Sequence, residues 1–302
     1  MNSARPLDGE KPEWELVRYA KPRSVDEALG LLADGEWWIL AGGTDFYPAL
    51  GARPLMRDVL DINGLRDLDQ ITDTGEAFVI GARASWTSLI RRELPPAFDA
   101  LKLAAREVGS VQIQNRATVA GNLCNASPAA DGVPPLLALD ASVELRSAKG
   151  SRVLPLSEFV LGNRKTALAP DELLTAIHIP KTAAAGRSGF VKLGARRYLV
   201  ISIAMAAANV EIDGDGTIAA ARVAVGSCSP VAIRLPELEA ALAGRPADAR
   251  LLEAFEDGHF AGLSPIEDVR GTSEYRIAAA REIVGRALLM AVGAGDAEAV
   301  AA

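Results

Sequence analysis

A short glycine loop, Ala41-Gly42-Gly43-Thr44-Asp45, is the first part of this sequence that could do chemistry. It follows the apolar run 37–41, which is typical of a strand. Paired glycines let backbone amides approach a phosphate without an intervening Cβ, and Thr44 adds a hydroxyl donor. The loop is neither a P-loop nor a G-x-G-x-x-G fingerprint. An ordinary tight turn after a strand is the alternative interpretation.

A second segment, Thr118 to Asp131, is dense in small residues and short hydrogen-bonding side chains. It has few side chains large enough to fill a core. Its polar members could together surround a polyhydroxylated, phosphorylated ligand; these are Thr118, Asn122, Asn125, Ser127 and Asp131. The alternative is a structural loop held by Asx and Ser turns.

The elements around these segments indicate an α+β protein. A capping box at Ser24 starts a helix that ends at Gly35. The stretch 118–131 is interpreted as a long loop, and 181–187 as a linker. We expect a flexible leader over 1–15, a first domain over 16–180, and an antiparallel sheet-and-helices domain over 188–293. In the last domain we predict strands at 189–193, 201–212 and 218–227, a hairpin turn at 213–216, and helices at 235–243, 248–257 and 273–292. Residues 294–302 are alanine-rich and are expected to fray.

The composition argues against several functions. The chain has 302 residues, a net charge of −7 from 32 basic and 39 acidic residues, and 5% aromatic residues. This mild acidity and scarcity of aromatic side chains argue against binding of nucleic acid or an anionic membrane surface. The apolar runs are too short for a membrane span, and Met1 to Pro12 has no secretory signal. We therefore expect a cytoplasmic protein.

Two cysteines and two histidines argue against a disulfide framework, a zinc site or a four-cysteine cluster. No metal site is predicted, so any redox carrier on this chain has to be organic. We expect Cys124 and Cys228 to pack as small hydrophobic residues. His178 alternates with isoleucines on a strand and is expected to face solvent, and His259 is expected in a loop.

The two segments together resemble the FAD-binding (medium) subunit of the xanthine dehydrogenase, carbon monoxide dehydrogenase and aldehyde oxidoreductase family of molybdenum hydroxylases. The resemblance runs from about Leu16 to Leu289. The second segment is specific to that family, whereas the Gly-Gly-Thr loop is supportive. Further matching motifs are Gln114-Asn115-Arg116, Leu136 to Asp140, Phe159-Gly162-Arg164-Thr166, Phe190-Lys192-Leu193-Gly194, and Asp268-Val269-Arg270 with Tyr275-Arg276.

The resemblance implies a p-cresol-methylhydroxylase-type (PCMH-type) FAD-binding domain of two α/β subdomains, followed by the family's C-terminal domain. It implies no catalytic residue on this chain. The cofactor-binding positions that it implies are Ile39, Leu40, Ala41, Gly42, Gly43, Thr44, Asp45 and Phe46 around the pyrophosphate; Thr118, Gly121, Asn122, Ser127 and Asp131 at the diphosphate and ribityl chain; and Leu174, Lys192 and Ile201 near the isoalloxazine. A cation at Lys192 would favour anionic reduced flavin.

Two positions depart from the family pattern. Many relatives have two glycines where Ala120-Gly121 stands, which places the backbone farther from the phosphate here. Relatives often have Asp where Val200 stands, so a polar contact at that position is in doubt. Trp37-Trp38 is interpreted as core and subunit packing rather than flavin stacking, and Arg196-Arg197 as a solvated hairpin.

The function implied by the resemblance is electron transfer. Partner subunits would carry molybdopterin and [2Fe-2S] clusters, as a large and a small subunit in a dimer of heterotrimers. FAD on this chain would pass the electrons to an acceptor such as NAD⁺, O₂ or a quinone. The alternatives are a self-contained FAD-dependent oxidoreductase of the PCMH superfamily and a non-catalytic assembly protein of that fold. The sequence names neither the organic substrate nor the acceptor.

Overall fold

The computed structural model describes residues 17–294. Its strands are β1 (Tyr19–Ala20), β2 (Trp38–Leu40), β3 (Val59–Asp61), β4 (Ile71–Asp73), β5 (Ala77–Gly81), β6 (Ser142–Ser147), β7 (Gly150–Pro155), β8 (Val160–Gly162), β9 (Lys165–Thr166), β10 (Leu173–Pro180), β11 (Arg187–Leu193), β12 (Ala204–Ile212), β13 (Ile218–Gly226) and β14 (Ile233–Arg234). Its α-helices are α1 (Val25–Ala33), α2 (Phe46–Leu50), α3 (Trp86–Arg91), α4 (Asp99–Glu107), α5 (Val111–Gln114), α6 (Val119–Asn125), α7 (Val133–Ala138), α8 (Leu156–Phe159), α9 (Pro236–Leu242) and α10 (Ser273–Val292).

A small parallel sheet presents the first glycine loop. Its strand order is β1-β3-β2, and Leu40 at the end of β2 lies opposite Asp61 at the end of β3. α1 connects β1 to β2, and its N-cap residue Ser24 accepts a hydrogen bond from the Glu27 backbone N–H at 3.2 Å, as the capping box predicts. The carboxyl end of β2 therefore leads directly into Ala41 and the loop.

A five-stranded antiparallel sheet, with the order β4-β5-β10-β6-β7, supports the second segment. β10 lies in the middle, where Ile177 is opposite Ile80 on one side and Val143 on the other. All three side chains are fully buried in the core that α3, α6 and α7 cover. Burying a side chain of this size stabilises the fold by roughly 1.5–3 kcal/mol.

The C-terminal part is a second antiparallel sheet, with the order β11-β12-β13-β14, and α10 packs across it. The predicted hairpin turn lies between β12 and β13, where the Asp213 N–H donates to the Thr217 carbonyl at 2.9 Å. α10 approaches β11 closely at Gly189, since a Cβ there would lie 2.4 Å from the Ala287 carbonyl oxygen. The α+β class with an antiparallel C-terminal sheet is confirmed.

The stretch 118–131 was wrongly predicted to be a loop, because it contains the helix α6. Its glycine, its proline and its short polar residues suggested irregular backbone. However, Thr118 caps α6 by accepting from the Gly121 N–H at 2.9 Å. Pro134 and Pro135, which follow this stretch, stand in the first turn of α7, where a missing N–H costs little. Small residues therefore mark close helix packing here rather than a long loop.

Other predicted boundaries also change. The predicted linker 181–187 contains a packed 3₁₀ turn, whose buried Ala183 carbonyl accepts from the Asn209 side chain at 2.7 Å. The strand predicted from Ile201 begins at Ala204, and the helix predicted at 248–257 is a 3₁₀ turn over Ala249–Ala254. His178 is half-buried rather than solvent-facing, because β10 is a central strand.

The predicted leader and the predicted frayed terminus lie outside the described residues, apart from Ala294. Among residues 17–294, no helix has both the length and the apolar character that crossing a membrane requires.

Candidate functional site

The two small-residue segments meet in the folded chain, although Asp45 and Asn125 are 80 positions apart in the sequence. A Cβ on Gly42 would lie 2.0 Å from the Arg116 carbonyl oxygen and 3.0 Å from the Ala117 Cα. On the far side of the loop, the Asn125 side chain donates to the Asp45 carboxylate at 3.2 Å. The glycine loop therefore lies directly against both ends of α6, and glycine is needed at position 42 for this approach.

Buried polar contacts hold the first loop in place. The Asn63 side chain donates to the Ala41 carbonyl at 2.8 Å and to the Asp61 carboxylate at 2.7 Å. Burial alone would raise the pKa of Asp61, but hydrogen bonds from Tyr19, Asn63 and Lys21 lower it below its usual value. Asp61 is therefore an ionised acceptor that fixes the turn after β3 and, through Asn63, the start of the loop.

Gly43 has a φ of +79°, in the left-handed region that L side chains rarely adopt. A Cβ there would also lie 2.8 Å from the Tyr47 ring. The loop thus needs glycine at both positions for different reasons: Gly42 for close approach and Gly43 for backbone conformation.

The second segment is fixed by residues at and just before the start of α3. The Trp86 N–H donates to the Ala117 carbonyl at 3.2 Å, and the Val119 N–H donates to the Ala84 carbonyl at 3.0 Å. A Cβ on Gly121 would lie 2.8 Å from the Thr118 hydroxyl oxygen, so the cap of α6 favours glycine at this position. α6 then turns one face, with Gly121 and Asn125, toward the first loop.

Between the two segments lies a cleft of about 1000 Å³. This is at the upper end of the roughly 300–1,000 Å³ range of small-molecule and cofactor sites. The cleft is lined by Trp37, Trp38, Ile39, Ala41, Gly42, Gly43, Thr44, Asp45, Phe46, Pro48, Ala49, Ile62, Ala82, Trp86, Val108, Ile113, Ala117, Thr118, Ala120, Gly121, Asn122, Cys124, Asn125, Arg164, Leu168, Leu173 and Leu174.

The structure brings most of the predicted binding residues to this cleft. Those that line it are Ile39, Ala41, Gly42, Gly43, Thr44, Asp45, Phe46, Thr118, Gly121, Asn122 and Leu174. Leu40 is buried in a small cluster with Phe46 and Val59. Ser127, Asp131, Lys192 and Ile201 lie outside the lining.

Asp131 and Lys192 form a buried ion pair. The Lys192 ammonium lies 2.8 Å from one carboxylate oxygen of Asp131, and the Ser202 hydroxyl donates to the other oxygen at 3.0 Å. Burial raises the pKa of Asp131, against the opposing effect of Lys192 and Ser202. The pair joins the second segment to β11 and to the residue before β12. The positive charge expected at Lys192 is thus balanced by Asp131.

Ile201 lies on an exposed segment, 194–201, between β11 and β12. Its side chain is 55% exposed, and the neighbouring Tyr198 and Leu199 are exposed to a similar extent. Arg196 and Arg197 are also exposed on this segment. Ser127 forms a turn in which its hydroxyl accepts from the Ala129 N–H at 3.3 Å.

Some cleft residues were missed by sequence reasoning. Trp86 is fully buried yet lines the cleft, and its sequence position after the Ser85 cap indicates only a helix start. Arg164 lies in a motif that carries the family resemblance, so the resemblance was a signal that could have identified it. Asn125, which the sequence placed among the polar residues around a ligand, lines the cleft as expected. Trp38 lines the cleft and packs on Phe46 with ring centroids 4.1 Å apart.

Cys124 is not the packed residue that was expected, because its side chain is exposed in the cleft. The helical spacing of α6 places it on the same side as Gly121 and Asn125, whereas Leu123 is buried. The thiol lies within the walls of the cleft, and desolvation there raises its pKa to about 12, so the group is neutral at physiological pH. Cys228 is buried as expected, and burial raises the pKa of its thiol to about 11.

Comparison with protein families matches nearly the whole chain. The model for the FAD binding domain in molybdopterin dehydrogenase matches residues 15–182. The model for the CO dehydrogenase flavoprotein C-terminal domain matches residues 190–291. The cleft and both small-residue segments lie within the first match.

Individual relatives agree with these models. The chain is 31% identical to the xanthine dehydrogenase FAD-binding subunit of Escherichia coli O157:H7, covering 93% of this chain and 98% of the relative. It is 32% identical to the 6-hydroxypseudooxynicotine dehydrogenase complex subunit alpha of Paenarthrobacter nicotinovorans, covering 91% and 94%.

A solved structure is also similar: carbon monoxide dehydrogenase from Hydrogenophaga pseudoflava that lacks the Mo-pyranopterin moiety. The TM-score is 0.81 at 30% identity, covering 92% of this chain and 97% of that chain. The two-segment cleft, the matching domain models and these full-length similarities lead to one conclusion. The chain belongs to the family of FAD-binding medium subunits of xanthine and CO dehydrogenase-type molybdenum hydroxylases, and it is an oxidoreductase subunit whose cofactor is FAD.

Proposed function

We propose that this chain receives electrons from the [2Fe-2S] clusters of a partner subunit and passes them, through FAD held in the cleft, to an external acceptor. The observation that carries the proposal is the contact of Gly42 with Arg116 and Ala117. This contact brings two segments of small residues to opposite walls of a single cleft. An elongated nucleotide cofactor needs such a two-sided site, which a single turn cannot provide.

Unpaired polar atoms support a polyhydroxylated ligand in this cleft. Asn122 Oδ1 and Trp86 Nε1 are buried and have no hydrogen-bond partner within residues 17–294, and both residues line the cleft. A buried acceptor or donor left unpaired costs roughly 1–3 kcal/mol. The ribityl hydroxyls of FAD can both donate and accept, so they are suited to both atoms.

We assign the pyrophosphate to the first loop and to the start of α6. Gly42, Gly43 and Thr44 offer backbone that a phosphate can approach closely, and Thr118 and Gly121 face them across the cleft. Arg164 is a cation among the lining residues, 4.0 Å from Asp45, and can help neutralise the pyrophosphate. The family resemblance continues to assign Ser127, Asp131, Lys192 and Ile201 to the ribityl and ring end of the cofactor.

When bound, FAD supplies a carrier that accepts single electrons and releases them in pairs. The chain's own residues orient this group and limit its contact with water. Leu173 and Leu174 give the cleft an apolar wall at its base. Lys192 carries its charge as part of a pair with Asp131. Its effect on a nearby anionic group is therefore weaker than that of an isolated ammonium.

We also propose that the chain divides into an FAD domain over 16–180 and a C-terminal domain over 188–293. Separate hydrophobic clusters, one around Ile177 and one around Val284, support this division. We place the chain in a complex with a molybdopterin-binding large subunit and a [2Fe-2S] small subunit, as a dimer of heterotrimers. Several relatives carry names that denote a complex or a medium subunit, which supports this assembly.

The experiment is purification of the tagged chain from its native host. We expect visible flavin absorbance and co-purification of two further subunits with molybdenum and iron. Chemical reduction of the clusters should then be followed by bleaching of the flavin band. A single active chain that holds FAD and oxidises a substrate without molybdenum and iron would contradict the electron-transfer role.

A variant tests the site itself. Substitution of Gly43→Leu adds a bulky side chain at a positive φ against the Tyr47 ring, so we expect FAD to be lost from the folded chain. Gly51→Leu is the matched control, because Gly51 also has a positive φ but has no neighbouring atom within 4 Å of an added Cβ among the described residues. Equal FAD content in the two variants would argue against the cleft as the binding site.

A further inference from the structure

Arg276, in the first turns of α10, is a buried cation that the proposed function does not explain. Its side chain is 3% exposed. One terminal nitrogen donates to the Ile203 carbonyl at 2.6 Å and to the Ser227 carbonyl at 3.3 Å. The other terminal nitrogen pairs with the Asp268 carboxylate at 2.7 Å. Burying a charge is costly unless its contacts compensate for the lost hydration, so these contacts require an explanation.

The two carbonyl groups lie next to the residues that hold the end of the second segment. Ser202, the neighbour of Ile203, donates its hydroxyl to Asp131 at 3.0 Å. Ser227 donates its own backbone N–H to the Pro128 carbonyl at 3.1 Å. A single guanidinium group therefore fixes the backbone just before β12 and just after β13, where the chain contacts residues 128–131.

Asp268 fixes the guanidinium group in turn. Its carboxylate accepts from the backbone N–H of Arg270 at 2.8 Å and from the Arg270 side chain at 2.8 Å. The Arg270 backbone hydrogen bond and the Arg276 guanidinium lower the pKa of Asp268 to about 2. Asp268 is therefore charged throughout the physiological range and keeps Arg276 in one orientation.

Other arginines of α10 make different contacts. Arg286 pairs with Glu282 on the exposed surface, and Arg281 contacts Asp257 and the Phe255 carbonyl. Neither side chain has a hydrogen-bond partner among residues 118–131 or their direct neighbours in the described chain. General stabilisation of α10 therefore does not require contacts of the kind that Arg276 makes.

We propose that Arg276 is a positioning residue for the flavin site: through the Ile203 and Ser227 carbonyls it holds Ser202 and Pro128, and thereby Asp131, in their places. The role rests on the proposed function, in which residues 118–131 bind FAD. It links α10 to a cleft whose lining residues lie between positions 37 and 174. Arg276 acts through other residues and need not touch the cofactor.

The test is a double-mutant cycle on the full chain with FAD as the probe. The variants are Arg276→Lys, Arg276→Met, Ser202→Ala, and each Arg276 variant combined with Ser202→Ala. The FAD dissociation constant is measured by flavin fluorescence on the deflavinated protein, and the melting temperature without FAD is measured in parallel. Arg281→Met is the matched control, since it removes an arginine from the same helix without affecting the contacts to Ser202 or Ser227.

We expect Arg276→Met to raise the dissociation constant roughly tenfold or more, as loss of hydrogen bonds from a charged group predicts. Arg276→Lys should restore part of the affinity, because an ammonium group can still donate to a carbonyl. Ser202→Ala should add little in either Arg276 variant, since both changes act through Asp131. Arg281→Met should lower the melting temperature and leave the affinity unchanged.

The inference is overturned if the two substitutions act independently, that is, if the fold increases in the FAD dissociation constant of the single variants multiply in the double variant. So would wild-type affinity in Arg276→Lys and Arg276→Met. If Arg276→Met does not fold, the cycle with Arg276→Lys decides by the same criteria. A wild-type chain that folds but does not bind FAD would instead refute the proposed function, and the two failures are therefore distinguishable.

Discussion

Gly42→Ala is the substitution that most directly tests whether the two segments together bind one FAD molecule. The added Cβ would lie 2.0 Å from the Arg116 carbonyl oxygen and 2.6 Å from its carbon. Both are backbone atoms, so no side chain can rotate away. The loop and the start of α6 must separate by about 1 Å before the contact becomes acceptable. Overpacking of this kind costs roughly 1–3 kcal/mol. If the strain is relieved at the cleft, the dissociation constant for FAD should rise roughly 5- to 150-fold.

The assay is titration of the deflavinated chain with FAD, followed by flavin fluorescence, with circular dichroism to confirm folding. Gly30→Ala is the matched control, because Gly30 lies within α1 and no atom of the described chain lies within 4 Å of its added Cβ. That change should stabilise the helix by up to about 1 kcal/mol and leave FAD affinity unchanged. A Gly42→Ala chain that binds FAD as tightly as the wild type would refute the reasoning that this close contact shapes the site.

Three further predictions concern the described charges and thiols. Lys192→Met should destabilise the chain by about 3–5 kcal/mol in urea unfolding, because it leaves the buried Asp131 carboxylate unpaired; an unchanged midpoint would contradict the buried pair. Asp268→Asn should abolish part of the acid sensitivity of unfolding. The native pKa of Asp268 is about 2, below its ordinary value of 3.8, so its stabilising contribution is full above pH 3.8 and is lost as the pH falls toward 2. If the free energies of unfolding of wild type and variant change in parallel between pH 3.8 and 2, the prediction is wrong. Iodoacetamide should modify Cys124 slowly at pH 8 and faster as the pH rises toward its pKa of about 12, and FAD should protect it; rapid labelling at pH 7 would contradict a neutral thiol.

Much of the site could be predicted from the sequence, because the chemical requirements of the two segments are local. Gly43 has a positive φ, which favours glycine, and Thr118 is a typical N-cap residue that accepts from the Gly121 N–H three positions later. Such requirements are visible in the residue types themselves. The C-terminal helix Ser273–Val292 was likewise predicted to the residue, since its apolar stripe and the Gly293 stop are both strong signals.

The remaining features depend on contacts between distant parts of the chain. Nothing in the pattern of residues around Gly42 shows that Arg116 lies against it. The same is true of Asp131, since nothing in the residues around it shows that its carboxylate pairs with Lys192 and accepts from Ser202. The helix α6 was missed because glycine and asparagine lower helix propensity, whereas burial of Leu123 and its neighbours outweighs that preference here.

The strand order of the five-stranded sheet determines when the sheet can be completed during translation. β10, the last of these strands to be translated, is the one that occupies the centre, between β5 and β6. Until it emerges from the ribosome, the two strands that will flank it have unpaired edges, and the core that supports α6 is incomplete. Loading of the cofactor must therefore wait until residue 180 has been made. A nascent chain that is stalled before that point would depend on chaperones to protect these edges.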